Sequence, residues 1–114
     1  MDYDLEERTA KFGEDIIDFA KKVRINDITR PLINQIIRSA TSIGANYMEA
    51  NQASSKKDFK NKIALCRKES NETKHWLRMI AKTDDKYREE CKKYWREAHE
   101  LTLIFSKIVK NTGS

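Results

Sequence analysis

Turn-forming residues are scarce in this chain, which has three glycines and one proline among its 114 residues. So few helix breakers favour an all-α protein. No apolar run approaches the length of about 18 residues that a membrane span requires. The acidic first residues, Met1–Asp4, lack the basic-then-apolar order of a signal peptide. We therefore expect a single, soluble, cytoplasmic domain that does not contact a membrane.

Side chains that carry out chemistry are also few. The two cysteines, Cys66 and Cys91, occupy apolar helix positions, which predicts buried free thiols rather than a disulfide. Glu72 and His75 form one Glu-x-x-His motif, but a di-iron bundle needs this motif on two helices. The other histidine, His99, has no glutamate three residues before it. No nucleophile elbow, phosphate-binding glycine loop or Cys-x-x-Cys motif occurs. We predict no catalytic residues, no metal and no cofactor, and hence no enzyme.

Apolar residues recur at helical spacing in four segments, at about residues 5–23, 30–51, 56–81 and 85–110. Thr29 and Ser55 are the predicted N-caps of the second and third helices. The last two helices carry seams spaced alternately four and three residues apart, namely Phe59, Ile63, Cys66, Ser70, Thr73, Leu77 and Ile80, then Tyr87, Cys91, Tyr94, Ala98, Leu101, Phe105 and Ile108. The pattern predicts an antiparallel up-down-up-down four-helix bundle.

The second helix is the predicted centre of the bundle. Only Arg38 and Glu49 are charged between Leu32 and Ala53, although 36% of the whole chain is charged. Gly44 lies in the helix interior, where glycine costs about 1 kcal/mol relative to alanine. We expect close approach by a neighbouring helix to offset that cost.

Positive charge is concentrated on the third helix, since residues 54–82 hold nine basic and three acidic residues. Six of these cations are candidate contacts to nucleic-acid phosphates: Lys56, Lys57, Lys60, Arg67, Lys74 and Arg78. Such contacts would not read sequence, and no aromatic residue is interleaved on this face of the helix. The alternative is an ordinary solvated helix face.

Two further groups of residues admit alternatives. A polar set is expected to form a network between the second and third helices: Arg38, Ser42, Asn46, Glu49, Glu69 and Glu72. It is structural or lies at a subunit contact, or else Arg38 and Asn46 touch a ligand or RNA. Large apolar residues beside the seams form a subunit interface or pack laterally on the core: Trp76, Met79, Trp95 and Ile104.

A long motif resembles a known bacterial family. It comprises Arg38–Ala50, Lys57-Asp58-Phe59, then Glu69, Glu72-Thr73 and Trp76-Leu77. These residues resemble the four-helix-bundle proteins encoded in intervening sequences of 23S rRNA genes. The resemblance implies assembly as a ring-shaped homopentamer. The accessory variability determinant proteins of diversity-generating retroelements, which are related, share that ring and engage nucleic acid and a reverse transcriptase.

Charge and resemblance together lead to two hypotheses. The first is a non-enzymatic, oligomeric helical bundle that binds the RNA or DNA backbone through the basic face of its third helix. The alternative is a protein-interaction scaffold, or an accessory subunit that docks a nucleic-acid-processing partner such as a reverse transcriptase.

Overall fold

The chain folds into four α-helices, in a computed structural model that describes residues 3–113, with side chains from Leu5 onward. The helices are Tyr3–Lys22 (α1), Thr29–Asn51 (α2), Lys56–Thr83 (α3) and Arg88–Asn111 (α4), and a 3₁₀ turn, Asp85–Tyr87, precedes α4. Successive helices run antiparallel in a body of 44 × 21 × 19 Å, and no strand occurs among these residues. The predicted four-helix bundle is confirmed. Met1 and Asp2, which belong to the acidic chain start, and Ser114 lie outside the described residues.

Side-chain caps set the helix boundaries. The Ser55 hydroxyl accepts the Asp58 N–H at 3.0 Å, so the predicted cap of α3 is confirmed. Thr29 is not the N-cap of α2, because the helix already includes it. Instead, Asn26 Oδ1 accepts the N–H groups of Ile28 and Thr29 at 2.8 and 2.9 Å. The Thr29 hydroxyl donates to the Arg24 carbonyl in the loop before α2. Helix-cap preferences do not predict this hydrogen bond.

The predicted seams of α3 and α4 form the core. Every seam position is buried or partly buried, and so is the apolar stripe of α1. Cys66 and Cys91 are buried free thiols, as predicted. Glu69 is also buried, in keeping with the expected network around Arg38, whereas the burial of Thr9 was not expected from its polarity.

α1 and α2 cross at two glycines, Gly13 and Gly44. A Cβ at Gly44 would lie 3.5 Å from Thr9 Oγ1 and 3.6 Å from Ala10 N. A Cβ at Gly13 would lie 3.6 Å from the Ala40 carbonyl oxygen. A neighbouring helix does pack against Gly44, namely α1, but an alanine Cβ would fit there in ordinary van der Waals contact.

Candidate functional site

The two flanks of α3 face different helices. On one flank, Glu69 and Glu72 both bind Arg38 of α2. On the other flank, Lys60 Nζ donates to the Gly113 carbonyl at 2.9 Å, just beyond the end of α4. Glu69 and Glu72 therefore lie on the α2 flank, as does Lys62, whose Nζ pairs with Glu49 of α2.

Four cations form a continuous row along the α4 flank, and we call Lys60, Arg67, Lys74 and Arg78 the basic strip. Residues seven positions apart return to nearly the same side of a helix, about 10 Å further along its axis. None of the four forms an ion pair with a carboxylate among the side chains described, from Leu5 to Gly113. The remaining predicted cations, Lys56 and Lys57, are exposed in the first turn of α3.

Carboxylates of α4 turn away from the basic strip and toward α1. Glu97 accepts two hydrogen bonds from Arg8, at 2.7 and 2.8 Å, and Glu100 accepts a third at 2.8 Å. The Glu97 hydrogen bond, with help from Glu100, raises the pKa of the Arg8 guanidinium above its ordinary value. Glu90 pairs with Lys22 at 2.6 Å. Glu90, Glu97 and Glu100 thus pair with cations of α1, and the remaining glutamate of α4, Glu89, pairs with Lys92 of its own helix, so none of them pairs with the basic strip.

Aromatic rings from α4 lie beside the basic strip, contrary to the expectation that this face carries none. The rings of Trp95 and His99 stack with centroids 5.0 Å apart and planes at 18°. Lys74 Nζ lies 5.1 Å from the Trp95 ring centroid and 3.0 Å from His99 Nδ1. The expectation failed because it considered α3 alone, whereas the rings come from the neighbouring helix.

The Arg38 side chain connects α2 to the acidic flank of α3. Its Nη1 donates to Glu69 Oε1 at 3.1 Å, its Nη2 donates to Glu72, and its Nε donates to Gln35 at 2.9 Å. Glu72 also accepts from Trp76 Nε1 at 2.9 Å. Since the Glu69 side chain is only 12% exposed, this network fixes the register of the two helices.

Three other residues expected in that network make contacts elsewhere. Ser42 donates to the Arg38 carbonyl at 2.6 Å, and Asn46 donates to the Ser42 carbonyl at 2.9 Å, so both bond to the backbone of their own helix. Glu49 accepts from Lys62 Nζ at 2.7 Å, and this hydrogen bond raises the pKa of Lys62. The structure therefore brings together only Arg38, Glu69 and Glu72.

The large apolar residues beside the seams have different environments. Trp76 and Ile104 pack against the core, which favours lateral packing for these two. Trp95 remains 39% exposed. Other apolar side chains that face outward include Met48, which is 54% exposed, and Leu103, which is 55% exposed. Self-association through such surfaces stays a prediction.

The described part of the chain contains no group of three histidine, cysteine, aspartate or glutamate side chains placed to hold a metal ion. In the Glu-x-x-His half-motif, Glu72 is engaged by Arg38, and His75 packs edge-on against Trp76. None of the helices in residues 3–113 combines the length and the apolar character needed to cross a bilayer.

Comparisons with known proteins agree with this geometry. The model of the 23S rRNA-intervening sequence protein family matches residues 1–107. A crystal structure of a protein of unknown function from the S23 ribosomal protein family of Bacteroides thetaiotaomicron is 32% identical and superposes with a TM-score of 0.81. The match covers 92% of this chain and 97% of that one. None of the curated proteins matches the chain. The chain belongs to the 23S rRNA-intervening sequence protein family.

Proposed function

We propose that this protein binds the phosphate backbone of RNA or DNA through the basic strip of α3, without catalysing a reaction. The observation that carries the proposal is the segregation of charge around α3 and α4. Most acidic residues of the two helices pair toward α2 or α1, as Glu69 and Glu97 do. On the face shared by α3 and α4, the basic strip has no carboxylate partner among the described side chains, and Arg88 and Lys92 pair only with the exposed carboxylates of Asp85 and Glu89.

The physical basis is the release of counterions from a polyanion. A lysine or arginine that approaches a phosphate displaces a condensed counterion, and this gain depends on charge rather than on base sequence. The basic strip spans about 27 Å from Lys60 to Arg78, at 1.5 Å per helical residue. A straight row of that length follows a strand or the edge of a groove, so it supports binding with little sequence preference.

Charge-matched variants test the proposal. The strip variant Lys60→Gln/Arg67→Gln/Arg78→Gln removes three cations from the proposed face. The control variant, Lys21→Gln/Arg24→Gln/Arg30→Gln, removes three exposed cations near the α1–α2 loop. Affinity for a labelled RNA hairpin is measured by fluorescence anisotropy at about 50 mM salt.

We expect the strip variant to bind at least tenfold more weakly, and its salt slope to be shallower by about 3, or about 1 for each lost phosphate contact. The control variant should bind within twofold of the unmodified protein. Equal losses in both variants would show that net charge alone is responsible, which would contradict the proposal. A pull-down from nuclease-treated lysate tests the scaffold alternative. An acidic protein that stays bound there, together with no affinity of this chain for RNA, would support that alternative.

A further inference from the structure

A groove at one end of the α3–α4 face combines an apolar floor with a cationic rim. Its volume is about 410 Å³. Leu77 and Ala81 of α3 and Cys91 of α4 form the floor, and the indole of Trp95 forms one wall. Because one water molecule takes up about 30 Å³ of liquid volume, the groove has room for a ligand larger than a single phosphate group. The groove therefore fits an anion that also has an apolar face.

Four cations surround this groove: Arg78, Lys82, Arg88 and Lys92. Arg88 pairs with Asp85 at 2.8 Å, and Lys92 pairs with Glu89 at 3.5 Å. These two carboxylate side chains are 89% and 86% exposed, so water screens both pairs and they contribute little. Neither Arg78 nor Lys82 has an acidic partner within residues 5–113. The rim is thus predominantly positive.

The position of Trp95 makes it a stacking surface. His99 lies one helical turn after Trp95, and Lys74 contacts both rings from α3. Lys92, on the rim of the groove, lies one helical turn before Trp95. Along α4, Trp95 therefore lies between Lys92 and His99. His99 stacks on the Trp95 ring and Lys74 lies near it, while Trp95 also lines the groove and is 39% exposed.

We propose that this groove accepts one unpaired nucleobase, stacked on Trp95, with the adjoining phosphates bound by the cationic rim. The inference rests on the proposed function and identifies its ligand as a strand with unpaired bases. An indole stacks on any base, so the contact discriminates by strandedness rather than by sequence. A base within a duplex is already stacked and paired, and an abasic site has no ring to offer.

The test uses the full chain with Trp76→Phe, which leaves Trp95 as the only tryptophan. Trp76 donates to Glu72 on the opposite flank of α3, so its removal leaves the groove intact. Three labelled probes of equal length are compared: a uridine decamer, the same decamer with abasic central positions, and a blunt RNA duplex. Tryptophan emission reports stacking, and anisotropy reports binding. Trp95→Leu and Trp95→Phe are made in the unmodified chain, and circular dichroism checks that each folds.

We expect the uridine decamer to quench Trp95 and the abasic strand to bind with little quenching. Trp95→Leu should weaken binding of the uridine decamer by about tenfold, whereas Trp95→Phe should retain most of the affinity, because stacking requires an aromatic ring. Duplex affinity should change less than twofold in both variants.

Four results would overturn the inference. Base stacking would be refuted if the uridine decamer binds without quenching Trp95 emission, or if Trp95→Leu leaves the affinity for the decamer unchanged. In either case, binding of the duplex would still support the proposed function. Failure of the unmodified chain to bind any of the three probes would reject the proposed function as well. Emission that shifts with protein concentration alone, together with a scattering mass above 13.4 kDa, would show that a second copy of the chain covers the groove.

Discussion

The hydroxyl oxygens of Ser39 and Thr73 lie 2.8 Å apart between α2 and α3, where neither residue is exposed to solvent. Thr73 also bonds to the Glu69 carbonyl at 2.8 Å. Thr73→Val keeps the shape of the side chain but removes one hydroxyl. We expect it to lower the free energy of unfolding by about 1–2 kcal/mol, because the Ser39 hydroxyl then loses a buried partner. Urea denaturation measures the change.

A double-mutant cycle checks that the cause is the hydrogen bond. Ser39→Ala/Thr73→Val removes both hydroxyls, so neither hydroxyl is left buried without the other. The double variant should be more stable than the sum of the two single effects predicts. Strictly additive effects would show that the two hydroxyls do not interact.

The second prediction concerns the ion pairs of Arg38. Arg38→Met leaves the Glu69 carboxylate with little solvent and no cation, which should lower stability by about 2 kcal/mol. Adding Glu69→Met should restore part of that loss, since both charges are then gone. Lys11→Gln, which breaks an exposed pair with Asp15, is the matched control and should cost less than about 0.5 kcal/mol. Equal effects of the two single variants would contradict the structural role of Arg38.

The third prediction concerns the crossing of α1 and α2 at Gly44. An alanine Cβ there would meet Thr9 and Ala10 at 3.5 to 3.6 Å, which is ordinary van der Waals contact. Gly44→Ala should therefore stabilise the protein by up to about 1 kcal/mol through helix propensity. Gly44→Leu should destabilise it, because the longer side chain forces the helices apart. A lower thermal midpoint for Gly44→Ala would show that the helices approach more closely than described.

The fourth prediction concerns the two buried thiols. Burial raises the pKa of Cys66 and of Cys91 from an ordinary value of 9.0 to about 12. Below pH 9 the thiols are protonated whether the chain is folded or unfolded. Between pH 9 and about 12 the unfolded chain loses thiol protons that the folded chain retains, so stability falls as pH rises through this window.

Urea titrations at several pH values measure that loss. Lysines and tyrosines titrate in the same range, so Cys66→Ala/Cys91→Ala serves as the reference, and it should show a shallower decline. A disulfide-exchange reagent at about pH 8 should label neither thiol until urea unfolds the chain. Rapid labelling of the native protein would contradict the burial of these residues.

The fold could be predicted from the sequence because its seams follow simple periodicity. Positions such as Ile63 and Leu101 recur at spacings of four and three, and that pattern fixes which side of each helix is buried. Gly44 also indicated a helix crossing, because it is a glycine in the interior of a helix. Thr29 was misassigned because the helix begins one residue earlier, where Asn26 accepts the N–H groups of Ile28 and Thr29, and the Thr29 hydroxyl donates to the Arg24 carbonyl.

The candidate site could be predicted only as far as a single helix determines it. The cations of α3 share a flank by their spacing alone. The placement of Trp95 against Lys74 depends on how α3 and α4 align, which no pattern within one helix specifies. Glu49 was grouped with Arg38 by helical spacing, yet Lys62 lies within its reach and pairs with it instead. Contacts between helices therefore decided what the sequence left open.

The dependence of nucleic-acid affinity on salt tests the central claim most directly. Binding of the full chain to an RNA duplex is measured by anisotropy from about 50 to 200 mM salt, and the logarithm of the association constant is plotted against the logarithm of salt concentration. With the four cations of the basic strip engaged, the slope should be about −3 to −4. No binding at the lowest salt, or affinity that salt does not change, would contradict a function based on phosphate contacts.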